Sequence, residues 1–176
     1  MPIEVFAQKF ANLRTDRNQY TWSAETYHRA PYKPILMLSV LDMIGLGGIK
    51  ENFIGFDEEL FETFNLYYNR TIGKEKNSGP LQPYFYMRSE LFWELIPQEA
   101  KKQALADLPQ INSITQLHQL VIGARLDDEL FALVQTPKSR ERLKKVLIHT
   151  YFVPELQERL LESSRIKIDA FEYGQV

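Results

Sequence analysis

The segment YHRAPYKPILMLSVLDMIGLGG, residues 27 to 48, places His28, Arg29, Tyr32 and Lys33 directly in front of an apolar run. Pro31 and Pro34 bracket Tyr32 and Lys33. A helix start needs one capping acceptor. It does not need two permanent cations, an imidazole and phenols. The open N–H groups and the dipole of a helix start already favour an anion. Arginine and lysine add charge there, and tyrosine adds a hydroxyl and a flat face. These are the groups that contact DNA phosphates. A second reading stays open from the residues alone, in which Tyr32 and His28 pack on the core while Arg29 and Lys33 are solvated.

A second cluster, KEKNSGPLQPYFYMR (74–88), combines two lysines and small polar residues with Gly-Pro, Gln-Pro and three aromatics. A mobile basic loop beside an aromatic strand can follow a nucleic-acid backbone. Lys74, Lys76 and Ser78 are then candidate phosphate contacts, with Asn77 within reach of a groove. The alternative is a hairpin connection with a buried strand. Alternation sets Phe85 and Met87 in the core and Tyr84 and Tyr86 on the opposite face. The third run, KSRERLKK (138–145), reads as a solvated helix face. Trp22 and Trp93 read as core aromatics.

No catalytic set emerges. His28, His118 and His149 are far apart and lack ligand spacing. Asp57, Glu58, Glu59 and Glu62 lie on one helix and suit its positive N-terminus. GLGG follows a helix, so it is a helix stop and not a phosphate loop. The absence of cysteine excludes a disulfide framework and a thiolate zinc site. No metal and no cofactor is expected.

A chain of 176 residues with 44% hydrophobic and 25% charged residues fits one soluble globular domain. No apolar run reaches the ~18 residues of a membrane span, and no signal peptide is visible. A cytoplasmic location fits. The net charge of −2 means that any polyanion must be met by a local positive patch. Periodicity predicts helices over 3–13, 34–44 and 57–68, a short strand at ENFIGF, and a hairpin from PYFYM and LFWELI. AKKQALADL (100–108) reads as one short helix, and capping signals predict further helices after Ser113 and Asp127, from Thr136-Pro137 to Tyr151, and from Pro154 to about Ser164. The fold class is therefore α+β: a predominantly helical single domain over 1–176 with a small antiparallel hairpin or sheet, loosely like a winged helix. The end, RIKIDAFEYGQV, lacks a closing cap, so a second folded domain is expected to follow.

HRAPYKPILMLSVLDMI, followed some fifty residues later by GPLQPYFYMRSELFWEL, resembles the sulfur-binding domain of McrA-type restriction endonucleases. The resemblance covers roughly residues 27–97. It implies recognition of double-stranded DNA with a backbone phosphorothioate, by a domain that does not cut and usually precedes a His-Asn-His nuclease domain. The knot at 28–33 is then a phosphate clamp. Pro83 matches the family proline, while Gln82 stands where the family typically has tyrosine. The implied sulfur pocket is Tyr32, Gln82, Pro83 and Tyr86. Competing readings are a protein-interaction domain, a module for unmodified DNA, and an intact nuclease, the last disfavoured by the missing ligand set. A homodimer is compatible with all of them.

Overall fold

The computed structural model describes residues 2–174. The class is α+β, with helices α1 (Pro2–Ala11), α2 (Tyr32–Gly45), α3 (Glu58–Thr71), α4 (Leu81–Tyr86), α5 (Lys102–Asp107), α6 (Ile114–Leu120), α7 (Asp128–Leu133), α8 (Pro137–Tyr151) and α9 (Pro154–Gly174). Strands β1 (Trp93–Pro97) and β2 (Val121–Leu126) pair antiparallel, with Trp93 opposite Leu126.

Helix α2 is the hub. Every residue from Lys33 to Ile44 is buried, as its lack of a polar stripe requires. It packs against α3, α4 and α8. Its end is set by Gly47, whose φ of 84° follows Leu46. The Gly48 N–H bonds to the Met43 carbonyl at 2.8 Å and the Gly47 N–H to Ile44 at 3.2 Å, the double closure that favours glycine in the left-handed position. The C-terminal halves of α2 and α8 meet α3 and α9 over a buried polar knot. Lys144 Nζ lies 2.7 Å from Asp42 Oδ1. Tyr67 also donates to Asp42, and Ser164 Oγ stands 3.1 Å from its carboxylate. A buried charge pair needs such extra bonds to offset desolvation.

Four expectations are corrected. PYFYM is not a strand: residues 81–86 are helical and lead into a short 3-10 helix, Met87–Ser89. Pro83 sits in the first turn, where its fixed φ suits a helix, and the Tyr84 N–H closes on the Pro80 carbonyl at 3.0 Å. Tyr84 and Tyr86 consequently part company, with Tyr84 buried and Tyr86 exposed. LFWELI does supply β1, but its partner is VIGARL, which the sequence did not mark as a strand. The local hairpin that suggested a winged helix is thus absent among the described residues. ENFIGF contributes a single bridge, Ile54 to Ala124. The last helix continues ten residues past Ser164 to Gly174, because no Gly or Pro interrupts it earlier. The final Gln175 and Val176 of the terminal run lie outside the described residues.

Burial raises the phenols of Tyr67, Tyr68, Tyr84 and Tyr151 above the ordinary tyrosine value, with the Asp42 carboxylate adding to the effect at Tyr67. A raised acid keeps its proton in the fold while the unfolded chain loses it above about pH 10. The stability these phenols contribute is therefore intact below that pH and is lost as pH rises beyond it. In an alkaline titration followed at the phenolate absorbance, these four tyrosines ionise together with unfolding. Gradual ionisation of all nine tyrosines with the helical signal intact would refute this.

Candidate nucleic-acid interface

The start of α2, the helix α4 and the segment after α1 enclose a cavity of about 450 Å³. Tyr32 and Lys33 line it from α2, and Gln82, Pro83 and Tyr86 from α4. Arg14, Thr15 and Asp16 form the third side, Trp22 and Ala30 the fourth, with Ser89 at the edge.

Most donors on the α2 and α4 sides are engaged elsewhere, while the Arg14 guanidinium and the Tyr86 hydroxyl have no hydrogen-bond partner among the described residues. The Tyr32 hydroxyl donates to the Lys76 carbonyl at 2.6 Å and accepts from Ser78 Oγ at 2.9 Å. Its ring stacks among Trp22, Phe64 and Tyr68. The Trp22 indole N–H is directed to Asp16 Oδ2 at 3.2 Å. Gln82 Nε2 donates to the Ile111 carbonyl at 3.1 Å. Ser89 Oγ donates to the Tyr86 carbonyl at 3.0 Å. Pro83 is buried and has no N–H. What these residues present to the cavity is mainly ring and methylene surface.

Beneath the cavity lies an ion pair. Lys33 Nζ is 3.0 Å from Glu90 Oε1 and 3.2 Å from Ser89 Oγ. Both Lys33 and Glu90 are buried. Burial pulls the Lys33 ammonium below its usual value, and its hydrogen bond to Glu90 and that residue's charge push it back up. The same Glu90 oxygen accepts the Arg14 backbone N–H at 2.8 Å. One carboxylate thus ties together three chain segments that line the cavity.

The remaining expected phosphate ligands lie outside the cavity lining. Arg29 points into the fold: Nη2 donates to the Leu13 carbonyl and Nε to Thr15 Oγ1, each at 2.9 Å, and the guanidinium lies over the Tyr151 ring. Burial lowers its pKa. It braces the Arg14–Asp16 wall. His28 is exposed, with a positive φ of 59°, and its Nδ1 stands 2.8 Å from the Trp22 carbonyl. It steadies the turn that carries Trp22. Lys74 and Lys76 are exposed at the ends of a short 3-10 helix, and Ser78 is held on Tyr32. The 74–79 segment makes several hydrogen bonds to α3 and within itself. Asn77 Nδ2 bonds to Asn65 and Asn69, its Oδ1 accepts the Gly79 N–H, and Tyr68 reaches the Lys76 carbonyl.

Sequence reasoning missed Arg14 and Trp22. Trp22 is half-exposed on the cavity and not a core residue. The signal was present in LRTDRNQYTW, a basic, aromatic connection with no apolar periodicity of its own.

The ion pair gives a sharp expectation. Glu90→Ala leaves the Lys33 charge and the Arg14 N–H without their acceptor and costs about 3–5 kcal/mol of stability, measured by denaturant unfolding. Replacing both partners, with Lys33→Met and Glu90→Leu, costs clearly less than Glu90→Ala alone. A double variant at least as unstable as the single one shows that the pair is not a self-contained unit.

Comparison with known proteins agrees with this geometry. No curated protein matches the chain. The family model described as the ScoMcrA-like DNA sulfur-binding domain matches residues 4–169, so the match spans the cavity, its bracing residues and nearly all of the fold, and the chain belongs to that family.

Proposed function

We propose that this domain recognises double-stranded DNA carrying a backbone phosphorothioate and directs a linked His-Asn-His endonuclease to it, as part of a cytoplasmic restriction system. The segment itself binds and does not cut. The observation that carries the reading is the cavity wall of Tyr32, Gln82, Pro83 and Tyr86, whose donors are mostly engaged elsewhere or missing.

Sulfur in place of a non-bridging oxygen is larger, softer and a poor hydrogen-bond acceptor. A donor-poor wall takes nothing from it. An oxygen on the same wall loses water bonds that the wall does not replace. A buried acceptor left without a donor costs about 1–3 kcal/mol, or roughly 5- to 150-fold in affinity. Discrimination then comes from a penalty on ordinary DNA as much as from attraction to sulfur.

Affinity for any duplex comes from charge. The Lys33 charge is balanced by Glu90, so in this reading Lys33 places one remaining N–H on the phosphate while net attraction comes from the rim. Arg14 supplies it on one side, and Lys74 and Lys76 on the other, with Ser78 beside them. His28 adds a donor at the edge. Arg29 contributes mainly by holding Thr15 and the Leu13 carbonyl, with its field reaching the phosphate.

The direct test is gel retardation of one duplex, with and without a single phosphorothioate, in the presence of Mg²⁺. Retardation of the modified duplex without cleavage is expected. Cleavage makes the segment a nuclease, and equal retardation of both duplexes removes the sulfur reading. Two substitutions separate the contributions. Pro83→Ser adds a hydroxyl that an oxygen can use, so the preference for modified DNA narrows several-fold; a folded Pro83→Ser protein with full selectivity takes Pro83 out of the sulfur site. Arg14→Ala weakens binding to both duplexes alike and makes the salt slope shallower by about 1. An unchanged slope moves the phosphate contact elsewhere.

A further inference from the structure

A second groove, of about 300 Å³, runs on from the cavity and shares Arg14 and Ser89 with it. Its other side is the last turns of α1, with Gln8, Lys9 and Asn12, and it is overlooked by Leu91. Leu91 is 89% exposed, the most solvated leucine among the large apolar residues. It is also fixed in place. Its neighbours in the chain, Glu90 and Phe92, are both buried, Glu90 by its bond to Lys33 and Phe92 against Phe10. A single exposed leucine is ordinary. A leucine held out by two buried anchors, on a groove shared with the cavity and lined by amides and cations, is not a random surface residue.

The groove is not built for a second phosphate. It lies at the C-terminal end of α1, where the helix dipole is negative and carbonyls face outward. Asn12 Nδ2 already donates to the Gln8 carbonyl at 2.8 Å. The Gln8 side-chain amide makes no hydrogen bond among the described residues, so it offers a donor and an acceptor side by side. That is the pattern that reads a base edge, while an apolar tip such as Leu91 suits a thymine methyl or a base step. Lys9 and Arg14 flank the groove without an ion-pair partner among the described residues, as a duplex backbone passing on either side requires.

We propose that this groove reads the base pairs next to the modified phosphate, with Gln8 as the polar reader and Leu91 as the apolar contact. The proposal rests on the cavity being a DNA-phosphate site. In it, the cavity decides whether a phosphate carries sulfur, and the groove decides in which sequence.

The test is a panel of duplexes, modified and unmodified, in which the flanking base pairs are changed one at a time. Binding is measured for the unaltered protein, Gln8→Ala and Leu91→Ala. Both side chains are exposed, so the variants keep the fold, which helical circular dichroism checks. The unaltered protein is expected to discriminate at least about fivefold between flanking pairs. Each variant levels that preference to within about twofold on one side of the modification and leaves the ratio of modified to unmodified binding unchanged. Variants that keep the original base preference overturn the proposal, as does a protein indifferent to flanking sequence. A fall in the sulfur ratio in Leu91→Ala also overturns it, by assigning Leu91 to the cavity. An unaltered protein that prefers particular flanking pairs but ignores sulfur sinks the phosphorothioate reading alone, because the base comparison is also made on unmodified duplexes.

Discussion

The cavity depends on one buried contact, the carboxylate of Glu90. It accepts from the Lys33 ammonium at the start of α2 and from the Arg14 backbone in the segment after α1, while sitting itself beyond α4. These three stretches are 57 and 76 residues apart in the chain. No helix packing alone fixes them at this spot, since the region between α1 and α2 is nearly all turns. The pair is costly to bury, yet removing one member costs more than keeping both. Arg29 works on the same wall from behind, holding Leu13 and Thr15 and stacking on Tyr151. Tyr151 in turn donates to the Phe10 carbonyl at 2.5 Å and accepts the Leu13 N–H at 2.9 Å. The cavity is thus anchored through α8 into the body of the domain.

Pairing Lys33 with Glu90 has a chemical consequence. The Lys33 charge at the floor is balanced by Glu90, and the α2 and α4 walls are mainly ring and methylene surface, with the Tyr32 hydroxyl and the Gln82 amide engaged elsewhere. A site that merely wanted an anion would leave Lys33 unpaired and the Tyr32 hydroxyl and Gln82 amide pointing inward. In the proposed reading, attraction then falls to Arg14, Lys74 and Lys76 and discrimination to the apolar wall. The polar knot around Asp42 and Lys144 serves a different purpose, locking α2, α3, α8 and α9 together at the far end of α2.

Helix α2 was legible in the sequence because Pro34 and the glycines punctuate it, and α8 and α9 because a Pro opens each. Residues 81–89 were not. Tyr84, Phe85 and Tyr86 favour strands, but tertiary packing sets β propensity aside, and Pro83 fits a first helical turn as well as a strand start. VIGARL was missed because its Gly123 and Ala124 weaken the β signal, although Phe53 lies directly over Gly123 and needs its missing side chain. Tyr32, Gln82, Pro83 and Tyr86 do meet at one cavity, and family resemblance is what brought them together on paper. Nothing in spacing shows that Arg14 and Trp22 join them, since that contact is made through Glu90 and Asp16, far away or in a turn. Local pattern singled out residues with polar and charged groups, but not which of their donors the fold would occupy. Lys33 is buried against Glu90, and the half-buried Arg29 turns its guanidinium onto Leu13, Thr15 and Tyr151.

In the proposed reading, the preference for sulfur resides in an apolar wall and the affinity in rim cations. The measurement that separates them is the ratio of dissociation constants for modified and unmodified duplexes across a salt series. Salt screens charge but leaves burial of an apolar surface largely untouched. Both affinities are predicted to fall steeply in parallel, with the ratio constant to within about twofold between 50 and 200 mM salt. A ratio that collapses toward one as salt rises would mean that charge, not the donor-poor wall around Pro83, tells sulfur from oxygen.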